Sequence, residues 1–332
     1  MNMRTKIVYV VSSDEEDYYL EQALLSVFSL RKHNPGVFVE IVMDQFTHLT
    51  LNRKRTEISK YVDKITVADV PEKYDKGQKS RWIKTSLRNH IDGDYLFIDT
   101  DTIITDSLEE IDGFIGEIGA VKDHHTNAGK NCGKSKLLEW SKQDGWSFFD
   151  DLIYFNSGVM FVRDCDLSHE FYQEWNKRWI DSCERYSRFY DQSPLAATNQ
   201  FFHYPIKEID GAWNCQPIGG LAYMHKAKII HYLSDRNDAA WLFNDKDILR
   251  EIKRTDSISE KVSDLVDDAK GAFLTPNRLI AGRDLEVFYS PVFRVCKANN
   301  TVFFFFNGLS YFILGIGKVF RRIAKVLKLN CK

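Results

Sequence analysis

The sequence lacks several patterns that assign a chain to a common class of protein. Its six cysteines among 332 residues are scattered and form no Cys-x-x-Cys pair. We therefore expect reduced thiols in a reducing compartment, and neither a disulfide framework nor a zinc site. The formal net charge of −2 gives no electrostatic footprint for nucleic acid. The first apolar run, Ile7 to Val11, is too short for a signal-peptide core or a membrane anchor, so we expect a cytoplasmic protein body.

The glycine-rich loops of two large nucleotide-binding classes are also missing. Neither GxGxxG nor GxxxxGK[ST] occurs, which disfavours dinucleotide-binding and P-loop proteins. The hydrophobic pattern nevertheless alternates between strands and helices, and this favours an α/β fold with a mostly parallel sheet covered on both faces. The predicted strands are Lys6–Val11, Val37–Met43, Ile65–Val70, Tyr95–Asp99, Ile118–Val121, Ile153–Val162 and Lys228–Leu233. The predicted helices are Tyr18–Lys32, Leu51–Tyr61, Ser80–Asn89 and Leu167–Arg185.

Two carboxylates follow the apolar run Tyr95 to Ile98, where a buried strand should end. Asp99 and Asp101 are two residues apart, so in extended chain both side chains point the same way. Open α/β sheets bind ligands beyond the carboxyl ends of their strands. Paired carboxylates suit Mg²⁺ or Mn²⁺, which neutralise phosphate oxygens. The alternative is an acidic turn with two solvated aspartates.

Two further strands carry polar residues. Asn156-Ser157-Gly158 interrupts the apolar pattern of the strand at 153–162, and its glycine indicates either a bulge or close approach of the backbone to a ligand. A plain packing glycine is the equal alternative. His231 falls near the end of the last predicted strand, where a histidine taken alone is more often structural.

The last 32 residues differ in composition from the rest. From Thr301 onward there are six Lys or Arg and no acidic residue, so the preceding chain carries a net charge of −8. The Phe-rich segment from Val302 to Ile316 is shorter than the ~20 residues of a spanning helix. The basic and apolar residues that follow interleave at helical spacing, which favours an in-plane helix on an anionic membrane surface. The alternative is a C-terminal core helix with a solvated basic face.

In the order of these elements, the chain resembles the retaining, metal-dependent glycosyltransferases of family 8, which have the GT-A fold and include bacterial lipopolysaccharide galactosyl- and glucosyltransferases. The resemblance covers about Lys6 to Leu233. Asp99-Thr100-Asp101 is similar to the family's DxD motif, and Phe155-Asn156-Ser157-Gly158-Val159 to its FN[AS]G[VM] strand. Asp191-Gln192 resembles the acidic-Gln pair near the anomeric carbon, and Ile229-Ile230-His231-Tyr232 the strand that carries the third metal ligand.

The resemblance implies a role for each matching residue. It implies Mn²⁺ or Mg²⁺ held by Asp99, Asp101 and His231, and catalytic roles for Asp191 and Gln192. The donor-binding residues that it implies are Ser12, Ser13, Asp14, Arg81, Lys84, Asp99, Thr100, Asp123 and Asn156. One departure concerns the loop after His231, where the family's glycine, lysine and Pro-Trp are missing and Arg236 is the substitute candidate for the lysine.

These inferences predict three segments, a function and a location. The segments are a GT-A domain over residues 1–243, a helical or irregular extension over 244–300, and a membrane-associating tail over 301–332. The predicted function is transfer of a hexose from a UDP-sugar to a glycan or lipid-linked saccharide, with retention, in cell-surface polysaccharide or lipopolysaccharide synthesis. We expect a peripheral protein on the inner face of the plasma membrane. The alternatives are a haloacid dehalogenase-like phosphatase with Asp99 as nucleophile, and a catalytically silent sugar-nucleotide-binding protein.

Overall fold

The computed structural model describes residues 3–51, 55–217, 221–233 and 246–271, with isolated positions between 295 and 316. Its strands are β1 (Lys6–Val11), β2 (Val39–Asp44), β3 (Lys64–Ala68), β4 (Tyr95–Ile98), β5 (Thr102–Ile104), β6 (Ile118–Lys122), β7 (Phe155–Val162), β8 (Ile206–Glu208) and β9 (Ile229–His231). Its α-helices are α1 (Tyr19–His33), α2 (Gln45–Thr50), α3 (Lys76–Thr85), α4 (Lys134–Asp144), α5 (Asp166–Tyr186), α6 (Gln192–Phe201), α7 (Lys246–Thr255) and α8 (Glu260–Asp267).

Seven strands form the main sheet, in the order β3-β2-β1-β4-β7-β6-β8. The pairs β2–β3, β1–β2, β1–β4 and β6–β8 are parallel, whereas β7 runs antiparallel to both β4 and β6. The predicted α/β fold is therefore confirmed, with a mainly parallel sheet. Because β1 and β4 are parallel neighbours, the chain that leaves β4 emerges at the same edge as the polar residues after β1.

Strand β1 lies at the centre of the protein and is buried on both faces. Ile7, Tyr9 and Val11 face the core that α1, α7 and α8 complete, while Val8 and Val10 face the core under α3 and α5. This arrangement explains why the strand is a continuous apolar run, as in parallel sheets with helices on both faces.

A second, two-stranded sheet lies beside the main one. Strand β5 pairs antiparallel with β9, and Thr102 lies opposite His231. The sequence predicted the strand at β9 but not β5, because three residues directly after an acidic turn give too short a signal. Through this small sheet, the residues that follow the acidic pair lie against the last strand, β9.

Strand β7 contains an irregularity at the motif around Gly158. Along β6, Ala120 pairs with Met160 but the next residue, Val121, pairs with Asn156. Ser157 to Val159 therefore bulge away from β6, while Gly158 still accepts a hydrogen bond from the backbone N–H of Asp99 at 2.7 Å. Of the alternatives that the sequence left open for this glycine, the structure shows the bulge.

The helix predicted over Leu51–Tyr61 is wrong. The described residues around it form α2, which ends at Thr50, and a 3₁₀ turn at Glu57–Lys60. Asp44 caps α2 by accepting from the Thr47 N–H. Arg55 is buried and donates to Glu21, so the chain turns inward where a solvated helix would keep the charged residue outside.

The chain divides into two compact units, Met1–Leu274 and Thr275–Lys332. In the first unit, α7 and α8 contribute Ile248, Leu249, Ile252, Val262 and Val266 to the core that contains α1. The sequence divisions at 243 and 300 stay a prediction. Among the described residues, no helix is long and apolar enough to cross a membrane. All six basic residues of the 301–332 tail lie outside the described residues, so the predicted amphipathic helix stays a prediction.

Candidate functional site

Asp99, Asp101 and His231 converge at the end of β4. One ligand atom from each lies within 4.8 Å of the other two. The His231 Nε2 atom is 3.2 Å from Asp101 Oδ1 and 4.0 Å from Asp99 Oδ2. The acidic pair is thus no solvated turn, since both carboxylates face a buried imidazole.

Backbone pairing fixes the place of His231. Its N–H donates to the Cys215 carbonyl at 2.7 Å, and the next N–H, of Tyr232, donates to the Asp101 carbonyl at 3.0 Å. The imidazole lies directly over Gly158, where an added Cβ would be 2.2 Å from the ring Cε1 atom. Gly158 therefore provides space for His231, so the group packed against this glycine is a side chain of the protein.

A layer of basic groups lies beside the acidic pair. The Nζ atom of Lys84, on the buried face of α3, is 3.2 Å from Asp99 and 3.1 Å from Asp191. It also donates to Ser157 Oγ at 3.1 Å, and that hydroxyl donates to Asp191 at 2.8 Å. Arg81, one turn earlier and partly exposed, has its Nε 3.6 Å from Asp191. Lys84 thus connects the acidic pair to Asp191.

Helix α5 holds the backbone at Asp191 in place. The indole N–H groups of Trp175 and Trp179 donate to the carbonyls of Asp191 and Phe189, at 2.9 and 3.1 Å. Both tryptophans are fully buried. The loop between α5 and α6 is therefore anchored through its backbone, and Asp191 directly precedes α6 with its carboxylate facing Lys84.

The charges in this cluster shift one another's pKa values. Burial raises the pKa of Asp99, with Lys84 opposing the shift and Asp101 adding to it. Burial alone would raise the pKa of Asp191, but Lys84 and Arg81 outweigh it and lower that pKa. Burial alone would lower the pKa of His231, but Asp101 and Asp99 outweigh it and raise that pKa. The cluster favours a cation between His231 and the acidic pair.

Asp123 and Asn156 meet on the other side of the cluster. The Asn156 amide donates to Asp123 Oδ1 at 3.0 Å and approaches Gln192 Oε1 at 3.5 Å. The amide of Asn131 donates to the second Asp123 oxygen at 3.0 Å. The structure therefore brings Asp123, Asn156 and Gln192 together.

Ser12, Ser13 and Asp14 follow β1 and are held by polar contacts. Ser12 donates to Asp44 at 2.6 Å, and Ser13 donates to Asp17 at 2.5 Å. Asp14 pairs with Lys76 at the start of α3. These residues form a fixed polar turn beyond the first strand.

Thr100 and Arg236 are the remaining residues that the sequence singled out. Thr100 lies in the turn between β4 and β5, partly exposed. Arg236, the proposed replacement for a missing lysine, lies outside the described residues.

Sequence reasoning missed Asn214, Gln216 and Asn131. Asn214 Oδ1 is 2.9 Å from His231 Nδ1, and the Asn214 amide donates to Asn156 at 2.9 Å. Gln216 accepts from the His124 N–H at 2.8 Å, which fixes the turn after Asp123. No periodicity marks these residues, since they lie in irregular chain; polar residues within the apolar stretch Ala212–Ile218 are the only available signal.

The donor set of Asp99, Asp101 and His231 fits a divalent cation. Two carboxylates and one imidazole provide three ligand atoms with room between them for an ion. Carboxylate oxygens suit Mg²⁺ and Mn²⁺, and the imidazole nitrogen favours the transition metal of the two.

Comparison with known proteins agrees with this geometry. A family model described as glycosyl transferase family 8 matches residues 10–237. Among curated proteins, none matches the chain.

Solved structures with similar folds are distant in sequence. The galactosyltransferase LgtC, in complex with donor and acceptor sugar analogues, is 15% identical with a TM-score of 0.50, covering 78% of this chain and 99% of its own. An active-site mutant of LgtC is 16% identical with a TM-score of 0.51, covering 77% and 98%. The glycosyltransferase GlyE of Streptococcus pneumoniae is 15% identical with a TM-score of 0.49, covering 80% of this chain, which spans only 63% of GlyE.

Proposed function

The chain belongs to glycosyltransferase family 8, and from this premise we propose that it transfers a hexose from a UDP-sugar to a saccharide acceptor. The observation that carries the proposal is the convergence of Asp99, Asp101 and His231 beside Lys84 and Arg81. A sugar nucleotide reacts when the negative charge of its departing diphosphate is stabilised. A divalent ion, when bound, would stabilise this charge by acting as a Lewis acid on the phosphate oxygens.

The basic layer has a separate role in this proposal. Arg81 is partly exposed, so its guanidinium can donate charge-assisted hydrogen bonds to a phosphate. Lys84 is buried and engaged by two carboxylates, so it holds Asp99 and Asp191 in place and adds positive charge beneath the diphosphate.

Asp123, Asn156 and Gln192 form the sugar side of the site. A carboxylate and two amides can hydrogen-bond the hydroxyls of a hexose while their own contacts keep them in position. Loss of the diphosphate leaves an oxocarbenium-like sugar, as in glycoside hydrolysis. Gln192 and Asp191 are the groups we propose beside that cation. Retention of configuration belongs to the proposal, by front-face attack or by double displacement.

The two alternatives are not favoured. Family membership over residues 10–237 opposes a haloacid dehalogenase-like phosphatase, and Ile103 stands where that chemistry uses Thr or Val. A catalytically silent protein would have no need of an assembled set of three ligand residues.

Calorimetric titration of UDP with and without Mn²⁺ tests the proposal. We expect binding that requires the ion and is lost in Asp101→Ala, while Asp151→Asn, a change at an exposed aspartate, binds normally. Equal binding with and without the ion, or normal binding by Asp101→Ala, would contradict the proposal. A phosphatase activity abolished by Asp99→Asn would support the first alternative.

We also propose that the acceptor is a lipid-linked saccharide or lipopolysaccharide core, reached from the inner face of the plasma membrane. Residues 301–332 combine six basic residues with a Phe-rich segment, and Phe304, Phe305 and Phe312 are each more than 60% exposed. Basic residues near an anionic surface contribute about 1 kcal/mol each.

Co-sedimentation with vesicles tests the membrane proposal. The full chain should bind anionic vesicles and not neutral ones, and removal of residues 301–332 should abolish binding. Replacing Arg321 and Arg322 with Gln should weaken it. Anionic-vesicle binding that persists in the shortened chain would contradict the assignment.

A further inference from the structure

Four buried side chains form a continuous hydrogen-bonded chain from the sugar side of the site to the metal side. Asn156 donates to Asp123 Oδ1 at 3.0 Å. Asn214 donates to Asn156 Oδ1 at 2.9 Å, and Asn214 Oδ1 lies 2.9 Å from His231 Nδ1. Asn214 is fully buried, and the other three are each less than a tenth exposed.

The groups at the Asp123 end of this hydrogen-bonded chain allow only one direction for its hydrogen bonds. An ionised carboxylate only accepts, so Asp123 requires the NH₂ group of Asn156. The Gly158 N–H only donates, and it lies 2.9 Å from Asn156 Oδ1. Turning the Asn156 amide over would place oxygen against oxygen and N–H against N–H. Asn156 is therefore fixed with its oxygen toward Asn214.

The same argument fixes the orientation of the Asn214 amide. With an oxygen facing it, Asn214 must present its NH₂ group to Asn156, and its own oxygen then faces His231. An amide oxygen only accepts, so His231 must donate from Nδ1. The Nε2 atom faces Asp101 and Asp99, and these carboxylates also accept, so without a cation this nitrogen has an acceptor of its own. A cation bound there would take the place of the Nε2 proton, while Nδ1 keeps its proton for Asn214.

Backbone pairing holds Asn214 in register with His231. Asn214 ends the 3₁₀ turn Gly211–Asn214, and the following Cys215 exchanges hydrogen bonds with β9 on both sides: its N–H donates to Ile229 and its carbonyl accepts from His231. The spacing between Asn214 and the imidazole is thus set by main-chain geometry.

We propose that Asn214 is a positioning residue that holds the Nδ1–H group of His231 and so directs Nε2 at the cation site, and that Asp123 orients Asn214 through Asn156. Histidines that bind metals commonly donate their other ring N–H to a fixed acceptor, and loss of that acceptor weakens metal binding by about 10–100-fold. The part that concerns metal affinity rests on the function proposed above; the hydrogen bond from Nδ1 does not.

Nitrogen-15 NMR of the histidine-labelled protein, with the His231 signals identified through His231→Gln, tests the hydrogen bond from Nδ1 without metal or nucleotide. We expect a proton on Nδ1 that exchanges slowly with water, because the buried Asn214 oxygen holds it. An Nδ1 atom without a proton would overturn the proposal. This measurement uses the unaltered protein, so it does not depend on any variant folding.

Substitutions at Asn214 then separate orientation from packing. Both variants lose the NH₂ group that faces Asn156, but Asn214→Asp keeps an acceptor for Nδ1–H, whereas Asn214→Leu has a similar branched shape and no acceptor. By electron paramagnetic resonance of free Mn²⁺, we expect Asn214→Leu to lose about 10–100-fold in affinity and Asn214→Asp to stay within a few-fold of the wild type. Equal losses in both variants would show a merely structural role and contradict the proposal.

Asn199→Leu is the matched control. Asn199 is a buried asparagine that accepts from the Ile206 N–H at 3.1 Å and lies outside the hydrogen-bonded chain that leads to His231. We expect this variant to leave the Nδ1–H signal and the Mn²⁺ affinity unchanged; a loss like that of Asn214→Leu would contradict the proposed route. Absence of Mn²⁺ binding in the wild type would instead count against the proposed function, with the Nδ1 result still standing.

Discussion

Gly158 combines two structural demands in a single residue. Its carbonyl accepts from Asp99, and its missing side chain leaves the space that His231 fills. An added methyl would lie 2.2 Å from the ring Cε1 atom and 2.9 Å from Asn156 Oδ1. The imidazole must therefore move if this residue acquires any side chain.

We expect Gly158→Ala to weaken both folding and metal binding. Overpacking of a tight interior typically costs about 1–3 kcal/mol, and displacement of His231 removes a ligand from the cation site. Urea denaturation and Mn²⁺ titration measure the two effects. Gly113→Ala is the control, because an added methyl there meets nothing within 4 Å. A Gly158→Ala variant with normal stability and Mn²⁺ affinity would show that the ring has more room than the structure indicates.

His125 makes the stability of the protein depend on pH. Burial and the neighbouring His124 lower its pKa to about 4. Its Nε2 accepts from the Gln216 N–H at 3.0 Å, a bond that protonation of this nitrogen would remove. As pH falls below about 6.5, the unfolded chain takes up a proton on this residue and the folded chain does not, so stability falls until about pH 4.

Urea midpoints at several pH values check this expectation. His125→Asn removes the titrating group but suits the positive φ of 55° at this position. Relative to that variant, the wild type should lose on the order of 2 kcal/mol between neutral pH and pH 4. Parallel stability curves for the two proteins would contradict the assignment.

Some site residues can be predicted from the sequence immediately around them, and others cannot. Asp99, Asp101 and Gly158 were predictable because each lies next to a strand whose apolar pattern is clear. Asn214, Gln216 and Asn131 lie in irregular chain, and their partners are 8 to 92 residues away. No local pattern encodes such a contact.

At the scale of elements, the buried strands were the most predictable parts. Strands β1, β2 and β4 are buried and mostly apolar, and each was expected within about two residues of its bounds. The prediction of a helix over Leu51–Tyr61 was wrong because we interpreted its charged residues as a solvated helix face. One of them, Arg55, instead belongs to a buried ion pair.

Arg55 joins α1 to the turn after β1. Its guanidinium lies 2.8 Å from Glu21 and also donates to Ser13 Oγ and the Asp14 carbonyl, at 2.8 and 2.7 Å. Arg55→Met should reduce the free energy of unfolding by about 3–5 kcal/mol, because Glu21 is left buried without its partner. Arg55→Met combined with Glu21→Met should recover part of that loss.

Urea denaturation of these variants checks the prediction. The control is Arg4→Met, since the pair between Arg4 and Asp112 has an arginine that is 82% exposed and should contribute about 0–1 kcal/mol. A similar loss in Arg4→Met and Arg55→Met would contradict the role of burial.

At the scale of the whole molecule, the family and the fold could both be predicted from the order of four motifs along the chain. The match over residues 10–237 and the mainly parallel sheet agree with that prediction. The donor sugar and acceptor could not be predicted in this way, because they depend on contacts made by irregular segments. Their identity requires a donor screen.

The division of the chain predicts that the first unit folds by itself. A chain ended after Leu274 keeps every described site residue and the core formed with α7 and α8. We expect it to unfold cooperatively and to bind UDP with Mn²⁺ as tightly as the full chain. Calorimetry and thermal unfolding measure both, and loss of cooperative unfolding would show that residues 275–332 contribute to the first unit.

The small sheet of β5 and β9 has a kinetic consequence. It is three residues long on each strand, and it joins the turn that holds Asp99 and Asp101 to the strand that holds His231. Separation of these strands would carry His231 away from the two carboxylates and so remove one ligand from a bound ion. Variants that speed the exchange of the Tyr232 amide proton, whose bond to Asp101 closes the end of the small sheet, should therefore shorten the residence time of Mn²⁺.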